Sequence, residues 1–147
     1  MDTGTAADVF TSMLHAIDAK DWDGVRRAFD DDVAMDYSSL FGVPAAVVRG
    51  DDQVREWRVF AGGFDATQHV TGPIVVRPSD AGVTAHTHVR AYHRMAGAPG
   101  GDVWMVAGHY EVRLRPVDGT WKIAGITLTV FYQEGNLEIP KLARARA

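Results

Sequence analysis

The sequence predicts an α+β domain whose N-terminal helices pack on a strongly curved, mainly antiparallel sheet enclosing a pocket. Three observations carry this. Apolar residues recur at helical spacing in the first part of the chain, long stretches of two-residue alternation follow, and turn signals divide them. Long strands packed on one face by helices curl, and the concave side becomes a pocket. The 147 residues fit one domain, 1–147, with a core of about 5–133 and a loose tail over 134–147.

The first helix is expected over Thr5–Ala19, with Val9, Phe10, Met13, Leu14 and Ile17 on its inner stripe and a capping box from Thr5 to Asp8. A short second helix, about Asp21–Phe29, turns Trp22, Val25 and Phe29 to one side, and the acidic triplet Asp30–Asp32 reads as a solvated turn. Val33–Ser38 reads as a strand with Val33, Met35 and Tyr37 on one face, followed by an apolar loop over Ser39–Gly50 that covers a pocket mouth. A third helix, Asp51–Ala61, shows Val54, Trp57, Phe60 and Ala61 inward and stops at Gly62-Gly63. Four strands complete the chain: Gln68–Arg77, broken by Gly72-Pro73; Val83–Arg94; Val103–Pro116; and Thr120–Tyr132, joined to its predecessor by an Asp118-Gly119 hairpin turn.

Composition narrows the function classes. Hydrophobic residues at 46% and charged residues at 23%, with a net charge of -4, are globular values. Basic residues are scattered apart from Lys141, Arg144 and Arg146, so no nucleic-acid footprint is expected. There is no cysteine to form a disulfide, a thiolate metal site or a nucleophile. No apolar run reaches membrane-spanning length and no signal peptide is evident, so the expectation is a cytoplasmic protein without membrane contact. Neither a glycine-rich phosphate loop nor a GxSxG elbow is present.

Alternation then sorts the polar residues. Ala85, Thr87, Val89, Ala91 and His93 share the apolar, inward face of their strand, while His86, His88, Arg90 and Tyr92 face outward. In the next strand Trp104, Val106, Gly108, Tyr110, Val112 and Leu114 point inward. The Gly72-Pro73 pair invites a bulge, so parity leaves the face of His69 open. His86-x-His88 has metal-compatible spacing, but no carboxylate of matching register completes a site, and a polar outer face or subunit contact is expected instead.

Asp18 stands out, because it continues the Phe10–Leu14 row of the first helix where a structural helix would place leucine. Taken singly, each candidate has a structural reading. Asp18 caps the second helix, His69 and His93 are hydrogen-bonded core histidines, and Tyr37 is packing. Taken together, an acid and imidazoles around a pocket point to proton transfer.

Four segments carry a resemblance. Asp18-Ala-Lys-Asp-Trp-Asp23 followed by Met35-Asp-Tyr37, then Thr67-Gln-His-Val-Thr-Gly72 and Asp118-Gly-Thr-Trp-Lys-Ile-Ala-Gly125, resemble scytalone dehydratase. That enzyme belongs to the nuclear transport factor 2-like superfamily, in the group with the polyketide cyclase SnoaL. The resemblance spans the first helix to about Tyr132 and implies the cone-shaped fold of that superfamily. It also implies catalytic roles for Asp18, His69, His93 and Tyr37. An Asp-His pair at similar positions also resembles the hexachlorocyclohexane dehydrochlorinase branch. Where the family has a second tyrosine before the aspartate this chain has Ile17, and a serine and an asparagine of the family pocket become Gly108 and Tyr110.

The expectation is a cofactor-independent lyase, dehydratase-like, acting by Asp/His proton transfer on a small hydroxy-carbonyl, polyketide-like or other cyclic substrate. The alternatives are an isomerase or cyclase using the same enolate, or a non-catalytic small-molecule binding protein. Met13, Ile17, Leu40, Trp104 and Tyr110 would line the substrate pocket, no metal or cofactor is expected, and a homo-oligomer, dimer or trimer, is the expected assembly.

Overall fold

The computed structural model describes residues 2–146. Helix α1 (Thr3–Asp18) buries Ala6, Phe10, Met13 and Leu14, the stripe its spacing requires. It starts earlier than the Thr5–Asp8 box implies, because Asp2 accepts the backbone N–H of Gly4 and is the N-cap. It ends at Asp18 with Ala19 as its C-cap, and the following Lys20 takes a left-handed conformation (φ 57°). Asp21, not Asp18, then caps α2 (Trp22–Ala28) by accepting the Gly24 N–H at 3.0 Å. The structural reading of Asp18 as a helix cap is thereby removed.

Strand β1 (Phe29–Asp36) begins earlier than expected and includes the acidic triplet. The turn expected at Asp30–Asp32 is therefore corrected: Asp30 is buried and ion-paired with Arg115, which lets a carboxylate sit inside a strand. The loop expected over 39–50 is also partly ordered, holding the one-turn helix α3 (Ser38–Phe41) and strand β2 (Ala46–Arg49). Tyr37 is the N-cap residue of α3 rather than a strand residue. Helix α4 (Gly50–Ala61) follows.

Strands β3 (Ala66–Thr71), β4 (Val75–Ser79), β5 (Gly82–Arg94), β6 (Val103–Val117) and β7 (Thr120–Gly135) complete a seven-stranded, strongly curved, unclosed sheet. Its order is β2-β1-β7-β6-β5-β3, with β4 also on β5, and every pairing is antiparallel except β1 with β7. The β6–β7 hairpin turns at Asp118 and Gly119, both at positive φ.

β3 and β4 are one edge interrupted at the Gly-Pro pair. Thr71 pairs with Val89 and Val75 with His86, so four steps on the edge oppose three on β5. The extra residue reverses parity: Thr67, His69 and Thr71 are the less exposed set in β3, whereas Val76 packs on the core from β4. Thr87 of β5 donates to the carbonyls of Gly72 and Pro73, satisfying backbone groups freed by the bulge.

The tail is not loose. Residues Ile139–Arg146 form helix α5, which buries Ile139 and Ala143 against Phe64, Met95 and Trp104. Gly63 permits this docking, since a Cβ there would lie 2.7 Å from the Ala143 backbone. No helix among the described residues is long and apolar enough to cross a membrane.

Candidate functional site

Between the concave sheet face and the helices lies a cavity of about 270 Å³. The proposed substrate contacts Met13, Ile17, Leu40, Trp104 and Tyr110 all line it, together with Tyr37, His69 and His93. Each arrives by the geometry of its element. Met13 and Ile17 lie on the inner stripe of α1, and His93, Trp104 and Tyr110 are inward residues of β5 and β6. His69 faces inward because of the parity set by the β3–β4 bulge.

Asp18 is not itself a lining residue; it stands immediately behind His69. Its Oδ1 accepts His69 Nδ1–H at 2.7 Å and its Oδ2 accepts the His69 backbone N–H at 2.8 Å. Thr67 donates its hydroxyl to Oδ1 at 2.9 Å. A carboxylate only accepts, so Nδ1 carries a proton in this pair, and in the neutral ring the lone pair is left on Nε2. Both side chains are well covered, at 23% exposure for Asp18 and 11% for His69. Burial would push the Asp18 carboxyl up, but the His69 ring, the His69 N–H and the Thr67 hydroxyl outweigh it and hold it below the usual value.

His93 faces inward, as alternation predicts, but Asp18 bonds His69 and not His93. Its Nδ1 donates to the Trp104 carbonyl at 3.2 Å, and its ring stacks on the Trp104 indole at 4.2 Å between centroids. It meets His69 only edge-on, at 6.4 Å. Burial and then the nearby His69 ring lower its pKa to about 4, so it is neutral at neutral pH. Tyr37 and Tyr110 form the opposing pair. Burial and the neighbouring Tyr110 raise Tyr37 well above the phenol range, and burial pushes Tyr110 to about 12. Both stay protonated and able to donate.

Gly108, at the position of a family serine, contributes no side chain, and a Cβ there would meet the Thr129 carbonyl at 2.2 Å. Several residues of the cavity escaped the sequence reading. Thr67 is the clearest: it lies two residues before His69 and shares its face, but that face was open until the bulge fixed it. Phe64, tilted against His93 at 5.1 Å, and Trp57, beside Tyr37 at 6.3 Å, look from sequence like ordinary core. The histidines of the outer face, His86, His88 and His109, lie 5.5 and 6.0 Å apart between rings. Among the described residues no group of three or more His, Cys, Asp or Glu side chains is arranged to hold a metal ion.

Comparison with known proteins agrees with this architecture. The Kfla4162 protein from Kribbella flavida is 30% identical over 97% of both chains, with a TM-score of 0.87. A candidate scytalone dehydratase from Novosphingobium aromaticivorans shares the fold, at 18% identity over 91% of this chain and 87% of its own, with a TM-score of 0.78. So does hexachlorocyclohexane dehydrochlorinase LinA-type3 from Novosphingobium barchaimii, at 14% identity over 92% and 90%, with a TM-score of 0.75. No protein of curated function matches the chain. The SnoaL-like domain matches residues 2–127, nearly the whole length, and the chain belongs to the SnoaL-like family.

Proposed function

We propose that the protein is a lyase, dehydratase-like, that eliminates water from a small cyclic hydroxy-carbonyl compound by proton transfer through His69. The observation that carries this is the 2.7 Å Asp18–His69 hydrogen bond, with His69 lining an apolar cavity. Asp18 acts as a positioning residue: it fixes the tautomer and stabilises the imidazolium once it forms.

His69 Nε2 takes the proton alpha to the substrate carbonyl. Tyr37 and Tyr110 donate to the carbonyl oxygen as negative charge builds there, where their buried surroundings strengthen each hydrogen bond. The carbon–oxygen bond beta to the carbonyl then breaks, and the leaving hydroxyl collects the proton held by His69, releasing water and regenerating the neutral ring. With its pKa lowered to about 4 by burial and the nearby His69 ring, His93 is neutral at neutral pH. It therefore serves as a neutral hydrogen-bonding group that orients the substrate, not as the acid.

Return of the proton to a different carbon would make the same site an isomerase, and attack of the enolate on a second carbonyl would make it a cyclase. The family relationship and the likeness to a candidate dehydratase and to a dehydrochlorinase support enolate or elimination chemistry over other classes. The exposed Phe131, beside His88, and the exposed Tyr132 support the outer sheet face as the contact of a homo-oligomer, which the mass in solution tests.

The test is incubation with a panel of cyclic beta-hydroxy carbonyl compounds, following enone absorbance. Turnover by the wild type that is lost in Asp18→Asn and His69→Ala is the expected result. Turnover indifferent to both substitutions would overturn the proposal.

A further inference from the structure

The cavity has a charged end that the proton-transfer chemistry leaves unused. Arg144 of α5 and Glu56 of α4 both line it, joined Nη1 to Oε1 at 3.1 Å. The guanidinium also lies over the rings of Phe60 and Phe41, at 4.8 and 5.4 Å from their centroids. Arg144 and Glu56 are 51% and 57% exposed, against 11% for His69, so they stand at the solvent end of the cavity and His69 at the inner end. The charged pair at the solvent end and the His69 group at the inner end, separated by apolar walls, give the pocket two distinct poles.

We infer that this mouth is a carboxylate subsite, with Arg144 as the recognising residue and Glu56 as a resident competitor. Among the described residues Arg144 is the only Lys or Arg lining the cavity. Its guanidinium is positioned by the Phe60 and Phe41 rings, while the bond to Glu56 uses one of its five N–H donors. The more exposed Glu56 side chain can turn to water when a ligand carboxylate arrives; the guanidinium then exchanges one anionic partner for another, and the released Glu56 carboxylate is hydrated instead. The substrate class that fits is an apolar ring system with a carboxylate at the end remote from the reacting carbon. The inference rests on the functional reading above only for which end of the ligand reacts.

The test is calorimetric titration of the whole protein with 2-naphthoate and its uncharged counterpart 2-naphthamide. The wild type should prefer naphthoate. Arg144→Gln should weaken naphthoate about fivefold and leave naphthamide unchanged, while Glu56→Gln should tighten naphthoate about threefold by removing the competitor. If the pair is only a structural latch, both substitutions move both probes in the same direction, and that overturns the inference. Equal affinity for the two probes, or binding of neither, overturns it too. Because the readout is binding, loss of the lyase reading through unaffected turnover in Asp18→Asn would leave this result standing, and the reverse also holds.

Discussion

Asp18 and His69 are joined twice, once through the imidazole Nδ1 at 2.7 Å and once through the backbone N–H at 2.8 Å. The double attachment fixes the histidine's position along β3 as well as the rotation of its ring. A single side-chain bond would fix only the second.

Asp18→Asn should preserve the fold and cost roughly 10²- to 10⁴-fold in kcat, because an amide can pair with the wrong tautomer of His69. Thr67→Val removes one of the three bonds that Asp18 accepts and should cost about tenfold, with KM little changed. Steady-state kinetics on any turned-over panel compound check both. A larger loss in Thr67→Val than in Asp18→Asn would count against this hierarchy.

Tyr37→Phe and Tyr110→Phe should each lower kcat by about 10- to 100-fold, since both phenols stay protonated and aimed into the cavity. The double substitution should cost less than the product of the two, because the hydroxyls interact with each other. A double-mutant cycle measures this, and strict additivity would show that they act apart.

His93 should make the fold acid-sensitive. Its folded pKa of about 4 lies below the ordinary 6.5, so the unfolded chain takes up the proton first as pH falls. Stability is complete above pH 6.5 and declines as pH drops toward 4, by on the order of 3 kcal/mol. Asp18 acts in a lower window: its lowered carboxyl contributes above about pH 3.8, and that contribution is lost only below it. Urea midpoints at pH 7, 5.5 and 4.5 for the wild type and His93→Gln measure the first effect. The slope should flatten in the variant, and a wild-type midpoint constant across the range would refute it.

Docking of α5 depends on the absent side chain at Gly63. Gly63→Val should cost about 2 kcal/mol and expose α5 to protease before the rest of the chain unfolds. Thermal melting and limited proteolysis report the two effects separately.

Much of this arrangement is legible in the sequence because it rests on local periodicity. The inward faces of β5 and β6 follow from alternation alone, and with them the placement of His93, Trp104 and Tyr110. Asp18 is visible because it breaks an apolar row. What is hidden depends on distant partners. Asp30 reads as a turn residue until Arg115, 85 positions away, pairs with it. The face of His69 turns on one extra residue in a bulge. Helix α5 escapes notice because only Ile139, Leu142 and Ala143 mark its inner side, within a basic stretch that looks solvated. Arg144 belongs to that stretch, and nothing local indicates that it returns to the pocket mouth.

The most direct test of the central claim is deuterium incorporation at the carbon alpha to the carbonyl, followed by NMR in heavy water with ketone analogues lacking the beta-hydroxyl. With no leaving group the enolate can only be reprotonated, so exchange reports the action of His69 alone. Rapid exchange in the wild type, lost in His69→Ala and strongly slowed in Asp18→Asn, is the expected result. Exchange at the same rate in all three proteins would contradict the account.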